Sequence, residues 1–223
     1  MRPRPAFDTL RAHIAQIEAG SRVRRGVLPF GVAAIDTRLP EGGLALGALH
    51  EVAGGADGAV DGAAAALFAA GIVARTHGAV LWCVTRLDLF APALTQAGLD
   101  PDRVIHVEAG DERTVLACCE EGLRHGGLGG VVAEVARLPM TASRRLQLAA
   151  ESSGTIGIAV RRWRRAMEAV DFGQPTASVT RWRVTALPST PLPCPSRWNW
   201  PNLVTSTTLS RLPLSAWPST FSL

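Results

Sequence analysis

Between His50 and Ala74 the chain reads HEVAGGADGAVDGAAAALFAAGIVA: an apolar strand end, a run of glycines, then a helix-forming stretch. Residues of these types in this order can hold a phosphate chain. Loop N–H groups and the positive end of the following helix face the anion, a lysine reaches the outer oxygens, and a hydroxyl grips Mg²⁺. Aligning Gly54 and Gly62 with the two glycines of such a loop leaves seven residues between them, where the motif has about four. The lysine and hydroxyl positions fall on Ala63 and Ala64.

The missing cation has no substitute nearby. All 23 basic residues are arginine, and none of them lies between Arg38 and Arg75. Gly54, Gly55, Gly58 and Gly62 also have a simpler role, because a strand turning sharply into a helix needs permissive backbone with or without phosphate. Weak anion binding by the loop amides is the alternative. No nucleotide cofactor is expected, and no metal centre either. Cys83, Cys118, Cys119 and Cys194 show no CxxC spacing and no pairing with the five histidines, so they read as small buried residues of a reducing cytosol.

Elements able to carry the loop alternate along the chain. Strands are expected at ALHEV (residues 48–52), AVLWCV (79–84), RVIHV (103–107), GVVAEV (130–135) and TIGIAVR (155–161). Helices are expected after Gly62, over residues 88–97, between an Asp111 cap and a Gly126 stop, and from a Thr141 cap onward. Apolar strands separated by helices of this length imply an α/β fold with three layers and a mainly parallel central sheet. In residues 177–187 Val179, Arg181 and Arg183 alternate with Thr180, Trp182 and Val184, which suits an edge or antiparallel strand with one wet face.

The ends differ from this body. Residues 1–25 hold a short amphipathic helix and arm, with Leu10, Ile14 and Ile17 on one stripe that packs on the chain's own body or docks on a partner. Residues 26–187 form the α/β domain. Residues 188–223 lack any acid, are rich in proline and serine and hold three of the six tryptophans, so a poorly ordered irregular tail is expected. An out-of-frame end of the gene would give the same composition, and resequencing separates the two. The charge is +4: residues 1–160 hold 15 arginines and 17 acids, whereas in residues 161–223 eight arginines face only Glu168 and Asp171. A polyanion-facing surface therefore belongs late in the chain. The longest apolar run, residues 62–74, is too short for a bilayer crossing of about 20 residues, and no secretion signal is visible.

LPFGVAAIDTRLPEGGLALGALHEVAG (residues 28–54), the glycine run, and GLDPDRVIHVEAGDERTVLACCEEGLRHGGLGGVVAEV together resemble the RecA-like superfamily. LRHGGLGGVVAEVARLPMTASRRLQLAAESSG and RRWRR narrow the resemblance to the ImuA family, RecA-related accessory proteins of bacterial mutagenic DNA repair, over residues 7–187. The resemblance implies a RecA-like domain whose general-base glutamate would follow the second strand of the core, in VTRLD, where Arg86 falls near the matching position. It also implies a metal-ordering aspartate at the end of the GVVAEV strand, where Glu134 stands. Glu134 has a plainer role as a carboxylate paired with an arginine such as Arg137. The expectation is a degenerate site, hence a non-catalytic adaptor. Its implied setting is SOS-induced translesion synthesis, beside ImuB, an inactive Y-family polymerase homologue, and an error-prone replicative-type polymerase, with RecA as a further candidate partner. An ATP-dependent recombinase or regulatory ATPase with an atypical loop is the other reading.

Function is then expected on RRWRR. Arg161, Arg162, Trp163, Arg164 and Arg165 follow the fifth strand, and Arg181 and Arg183 would extend the same face. Guanidinium groups around an indole serve a protein interface first, contact DNA phosphates and bases second, and form a solvated or acid-paired cluster third.

Overall fold

A computed structural model describes residues 26–55, 58–162 and 172–185. A two-residue strand β1 (Val27–Leu28) pairs antiparallel with β2 (Leu44–Ala45), with the short helix α1 (Ala33–Asp36) between them. Asp36 fixes this excursion by accepting the N–H groups of Phe30 and Gly31 at 2.6 and 2.8 Å.

The body alternates β3 (Leu49–Gly54), α2 (Gly58–Ala74), β4 (Val80–Val84), α3 (Ala91–Gln96), β5 (Val104–Glu108), α4 (Glu112–His125), β6 (Gly130–Val135), α5 (Met140–Ser153), β7 (Gly157–Arg161) and β8 (Thr180–Val184). The last six strands to enter make one parallel sheet in the order β5-β4-β6-β7-β3-β8. Apolar side chains alternate to its two faces, so the sheet carries two cores. One packs under α2 and α3 around Phe68, Ile72, Trp82 and Trp182, and the other under α4 and α5 around Leu123, Leu146 and Val131. The fold is thus the expected three-layer α/β arrangement.

Local chemistry sets the helix ends. Asp111 caps α4 by accepting the Thr114 N–H at 3.0 Å, and Gly126 ends it in the left-handed region at φ 72°. The Thr141 cap does not form: the cap lies two residues earlier, at Pro139, whose fixed φ suits a helix entrance. The helix expected over residues 88–97 is shortened to α3 because Pro92 favours the first turn, so Phe90 becomes its cap. Helix α2 begins at Gly58 rather than after Gly62. Its small residues leave space on the sheet for Phe68, whose ring centroid lies 5.8 Å from Phe30 and 5.4 Å from Trp182.

Of the two placements expected for residues 177–187, edge or antiparallel, strand β8 takes the edge one, and the expected wet face is not found. It lies at the sheet edge but runs parallel to β3, and four of its five residues are buried. Cys83 and Cys119 are buried in the α4 side of the core, and Cys118 is half-buried beside them. The N-terminal helix, the tail and Cys194 lie outside the described residues. No described helix is long and apolar enough to cross a membrane.

Candidate functional site

The carboxyl ends of the strands open into a cleft of about 580 Å³, the place where open parallel sheets commonly put their ligands. Its walls come from the first turn of α2, the loop after β4, the end of β6 and Arg162 just past β7. The sequence therefore brings the glycine run, Arg86 and Glu134 to one place.

What occupies the cleft floor is an arginine. Arg162 Nη1 lies 2.7 Å from Glu134 Oε2 and 2.9 Å from Asp88 Oδ1, and Nη2 lies 3.2 Å from Asp88 Oδ2. The other Glu134 oxygen accepts the Trp82 indole N–H at 2.7 Å. Glu134 is 6% exposed, so both of its oxygens are engaged inside the protein. Burial works against the Arg162 charge, but Glu134 and Asp88 outweigh it and raise its proton affinity above the ordinary arginine value. Glu134 is therefore a paired carboxylate, and its arginine is Arg162 in place of the expected Arg137, which is exposed. Arg86 is exposed on the wall of the same cleft. No group of three or more His, Cys, Asp or Glu side chains among the described residues could hold a metal ion.

The glycines divide by role. A side chain at Gly54 would meet the Asp61 carbonyl carbon at 2.9 Å and the Gly62 nitrogen at 3.0 Å, so Gly54 lets the α2 backbone close on the β3 end. Gly55 makes room for the Asp61 carboxylate, which is buried in the first turns of α2. Gly58 holds φ 27° at the helix entrance. Gly62 is different: a side chain there would touch only the Arg162 stem, at 3.8 Å. Ala63 is exposed and Ala64 buried. The aliphatic part of Arg162 thus lies beside Gly62, on the face of α2 that lines the cleft.

Arg161 goes the other way. Neighbouring residues of a strand face opposite sides of the sheet, so Arg161 and Arg162 part to different layers. Arg161 is fully buried, with Nη1 2.6 Å from Glu51 Oε1 and Nη2 2.6 Å from the Ala136 carbonyl. Arg181 Nε lies 2.7 Å from Glu51 Oε2, and the Thr176 hydroxyl donates to the same oxygen at 2.9 Å. The Arg181 and Arg183 guanidinium carbons stand 4.3 and 5.0 Å from the Phe172 ring centre. The expected basic patch is therefore divided. Arg161 and Arg181 tie β7, β3 and β8 together around one carboxylate, while Arg183 is half-buried beside them. Trp163, Arg164 and Arg165 lie outside the described residues.

Glu51, Asp88 and Trp82 escaped the sequence reading. The signal for Glu51 was a lone carboxylate inside the apolar strand ALHEV, which must bring a cation with it when buried. Asp88 carried no such signal.

The fold belongs to a known class. The RadB recombinase has a TM-score of 0.54 to this structure, covering 86% of this chain and 93% of that one at 14% identity. SulA from Pseudomonas aeruginosa covers 52% of this chain and 98% of its own at 21% identity, with a TM-score of 0.44. The fold is RecA-like, a mainly parallel sheet between helical layers. No family model matches the chain. Two relatives named Protein ImuA, from Caulobacter vibrioides strains NA1000 / CB15N and ATCC 19089 / CIP 103742 / CB 15, are each 40% identical over 196 residues. Each match spans 82% of this chain and 80% of the relative. The chain belongs to the ImuA family.

Proposed function

We propose that the chain is a non-catalytic RecA-like adaptor of SOS-induced, error-prone translesion DNA synthesis in the cytoplasm. It works with an ImuB-type inactive Y-family polymerase homologue and an error-prone polymerase III alpha-type subunit, with RecA as a further partner. Membership of the ImuA family supports this setting. The single observation that carries the non-catalytic half is the state of the cleft. The start of α2 that lines the cleft offers Gly58, Ala59 and Gly62, with no lysine or hydroxyl among them, and the cation that is present, Arg162, is gripped by Glu134 and Asp88. Anchoring a triphosphate would require breaking that double pair and leaving Glu134 buried without it. The arginine at position 86 cannot act as the base that polarises an attacking water.

An adaptor uses surface instead. Val60, Leu87 and Phe90 are large apolar side chains exposed on the first turn of α2 and the loop after β4, beside residues that wall the cleft. Exposed apolar anchors around a polar depression suit protein docking. DNA contact through Arg161–Arg165 falls behind protein docking, because Arg161 is inside the protein.

Calorimetry of the purified chain with Mg-ATP tests the catalytic half. No submillimolar binding and no turnover are expected. A submillimolar affinity abolished by altering the Gly54–Gly62 loop would establish the ATPase reading in its place. Pull-down from DNA-damaged cells tests the partner half: an L87D/F90D variant should lose the polymerase partners that the intact chain retains.

A further inference from the structure

Strand β4 and helix α4 each bring a cysteine to the same place inside the molecule. Cys83 and Cys119 are buried in the core under α4, outside both the cleft lining and the Glu51 network. Register makes them face each other. A side chain at Gly122 would come within 2.4 Å of the Leu81 methyl, so α4 crosses β4 with Gly122 against Leu81. As the connection between the parallel strands β5 and β6, α4 runs back against the strand direction. Two residues up the strand and three residues back along the helix, side chains return to the same faces. Those steps lead from Leu81 to Cys83 and from Gly122 to Cys119. Cys119 Sγ lies 3.7 Å from the carbonyl oxygen of Val132, which pairs with Trp82, the residue before Cys83. Its S–H is shared with the Cys83 sulfur. That bond holds the Cys83 thiol below its ordinary proton affinity, against the opposing effect of burial. The same bond, together with burial, pushes Cys119 well above the ordinary thiol value.

We propose that Cys83 and Cys119 are an oxidation site, closing into a reversible disulfide when a hydroperoxide reaches them. Burial alone would leave the thiols inert, but an open groove of about 620 Å³ begins one step away, lined by Leu81, Cys118 and Gly122. Gly122 presents no side chain there, so a molecule little larger than water can approach the pair from that side. The Cys83 thiolate attacks one peroxide oxygen; an S–O bond forms, the O–O bond breaks, and the departing hydroxide takes up the proton that Cys83 gave up. The Cys119 sulfur then attacks the Cys83 sulfur; the S–S bond forms, the S–O bond breaks, and the second hydroxide leaves as water with the Cys119 proton. Two thiols and one hydrogen peroxide give one disulfide and two waters. A link that closes on oxidation and is reopened by other thiols is the form protein disulfides take in reducing compartments. It would join two elements that both end at the cleft, since Val84 closes β4 there and Glu112 opens α4 there. Cys118, half-buried on the groove lining, is the competing sulfur.

The test is peptide mapping of the purified full-length chain after exposure to hydrogen peroxide and alkylation of the remaining thiols, without polymerase partners or nucleotide, so that it stands apart from the adaptor reading. Cleavage after arginine releases residues 76–86, which hold Cys83, and residues 114–124, which hold Cys118 and Cys119. The two peptides should be recovered as one linked species, lighter by two hydrogens than their sum and separated again by dithiothreitol. The same link should form in a Cys118→Ser/Cys194→Ser chain, which leaves only the proposed pair and changes neither buried cysteine. A link that disappears in that variant is routed through Cys118 or Cys194 and overturns the proposal. Oxidation confined to Cys118 or Cys194, with Cys83 and Cys119 still open to alkylation once the chain is unfolded, overturns it equally.

Discussion

The Arg162 guanidinium and the Glu134 carboxylate meet at 2.7 Å in the floor of the cleft, one from the loop past β7 and the other from the end of β6. Two strand ends are thereby closed over the space in which a RecA-like ATPase would seat phosphate. Removing the arginine should be felt first as instability. In Arg162→Ala, Glu134 keeps only the Trp82 indole, and Asp88 loses its partner. Arg162 is itself partly exposed, so water recovers some of the deficit, and the expected loss is about 1–3 kcal/mol in urea denaturation. Glu134→Gln, which can still accept the Trp82 bond, should lose less. An R162A chain as stable as the parent would show the pair to be idle.

The two glycines that frame the loop should respond in opposite senses to alanine. Gly54→Ala drives a methyl into helix backbone at 2.9–3.0 Å, where nothing flexible can yield, and should cost about 2 kcal/mol or more. Gly62→Ala meets only the Arg162 stem and removes a glycine from helix α2, so it should be neutral or stabilising by up to about 1 kcal/mol. Thermal melts of the two variants read this directly. Equal damage from both would mean that Gly62 serves a role its free space does not reveal.

Glu51 is a buried counter-charge shared by two guanidinium groups, so Glu51→Ala takes that carboxylate away from both Arg161 and Arg181 inside the protein. A loss of about 3–5 kcal/mol is expected, enough to unfold a domain of ordinary stability. Glu51→Gln keeps oxygen acceptors in place and should retain part of that stability. A soluble E51A chain with a parental unfolding midpoint would contradict the network.

These contacts mark the boundary of what the residues reveal without coordinates. Alternating apolar strands and capped helices made the three layers legible, because periodicity and capping act locally. Pairing order across the sheet acts at long range, so nothing within residues 177–187 could say that β8 would run parallel to β3. The glycine run, Arg86 and Glu134 were legible as one cleft because RecA-like topology brings strand ends together. RRWRR was read as one patch, yet strand parity sends Arg161 and Arg162 to opposite faces, each to a carboxylate remote in sequence. Its partner Asp88 sits in a loop whose path no local pattern fixes.

His50 should make stability fall with acid. Its ring is fully buried, Nε2–H donates to the Ala45 carbonyl at 2.9 Å, and Nδ1 is 2.7 Å from the Thr180 hydroxyl, which accepts the Trp182 indole N–H at 2.8 Å. Desolvation by this burial lowers its pKa from 6.5 to about 4, against a smaller opposing effect of the Ala45 bond. Between those values the unfolded chain binds a proton that the native chain refuses, so unfolding free energy rises with pH there. The His50 contribution is complete above about pH 6.5, is lost as pH falls toward 4, and changes no further below that. A shift of this size corresponds to roughly 3 kcal/mol. Urea titrations at pH 7.5, 6, 5 and 4.5 should show the slope. His50→Gln, which cannot titrate, should flatten it while lowering stability at pH 7.5, and an unchanged slope in H50Q would assign the acid sensitivity to other groups.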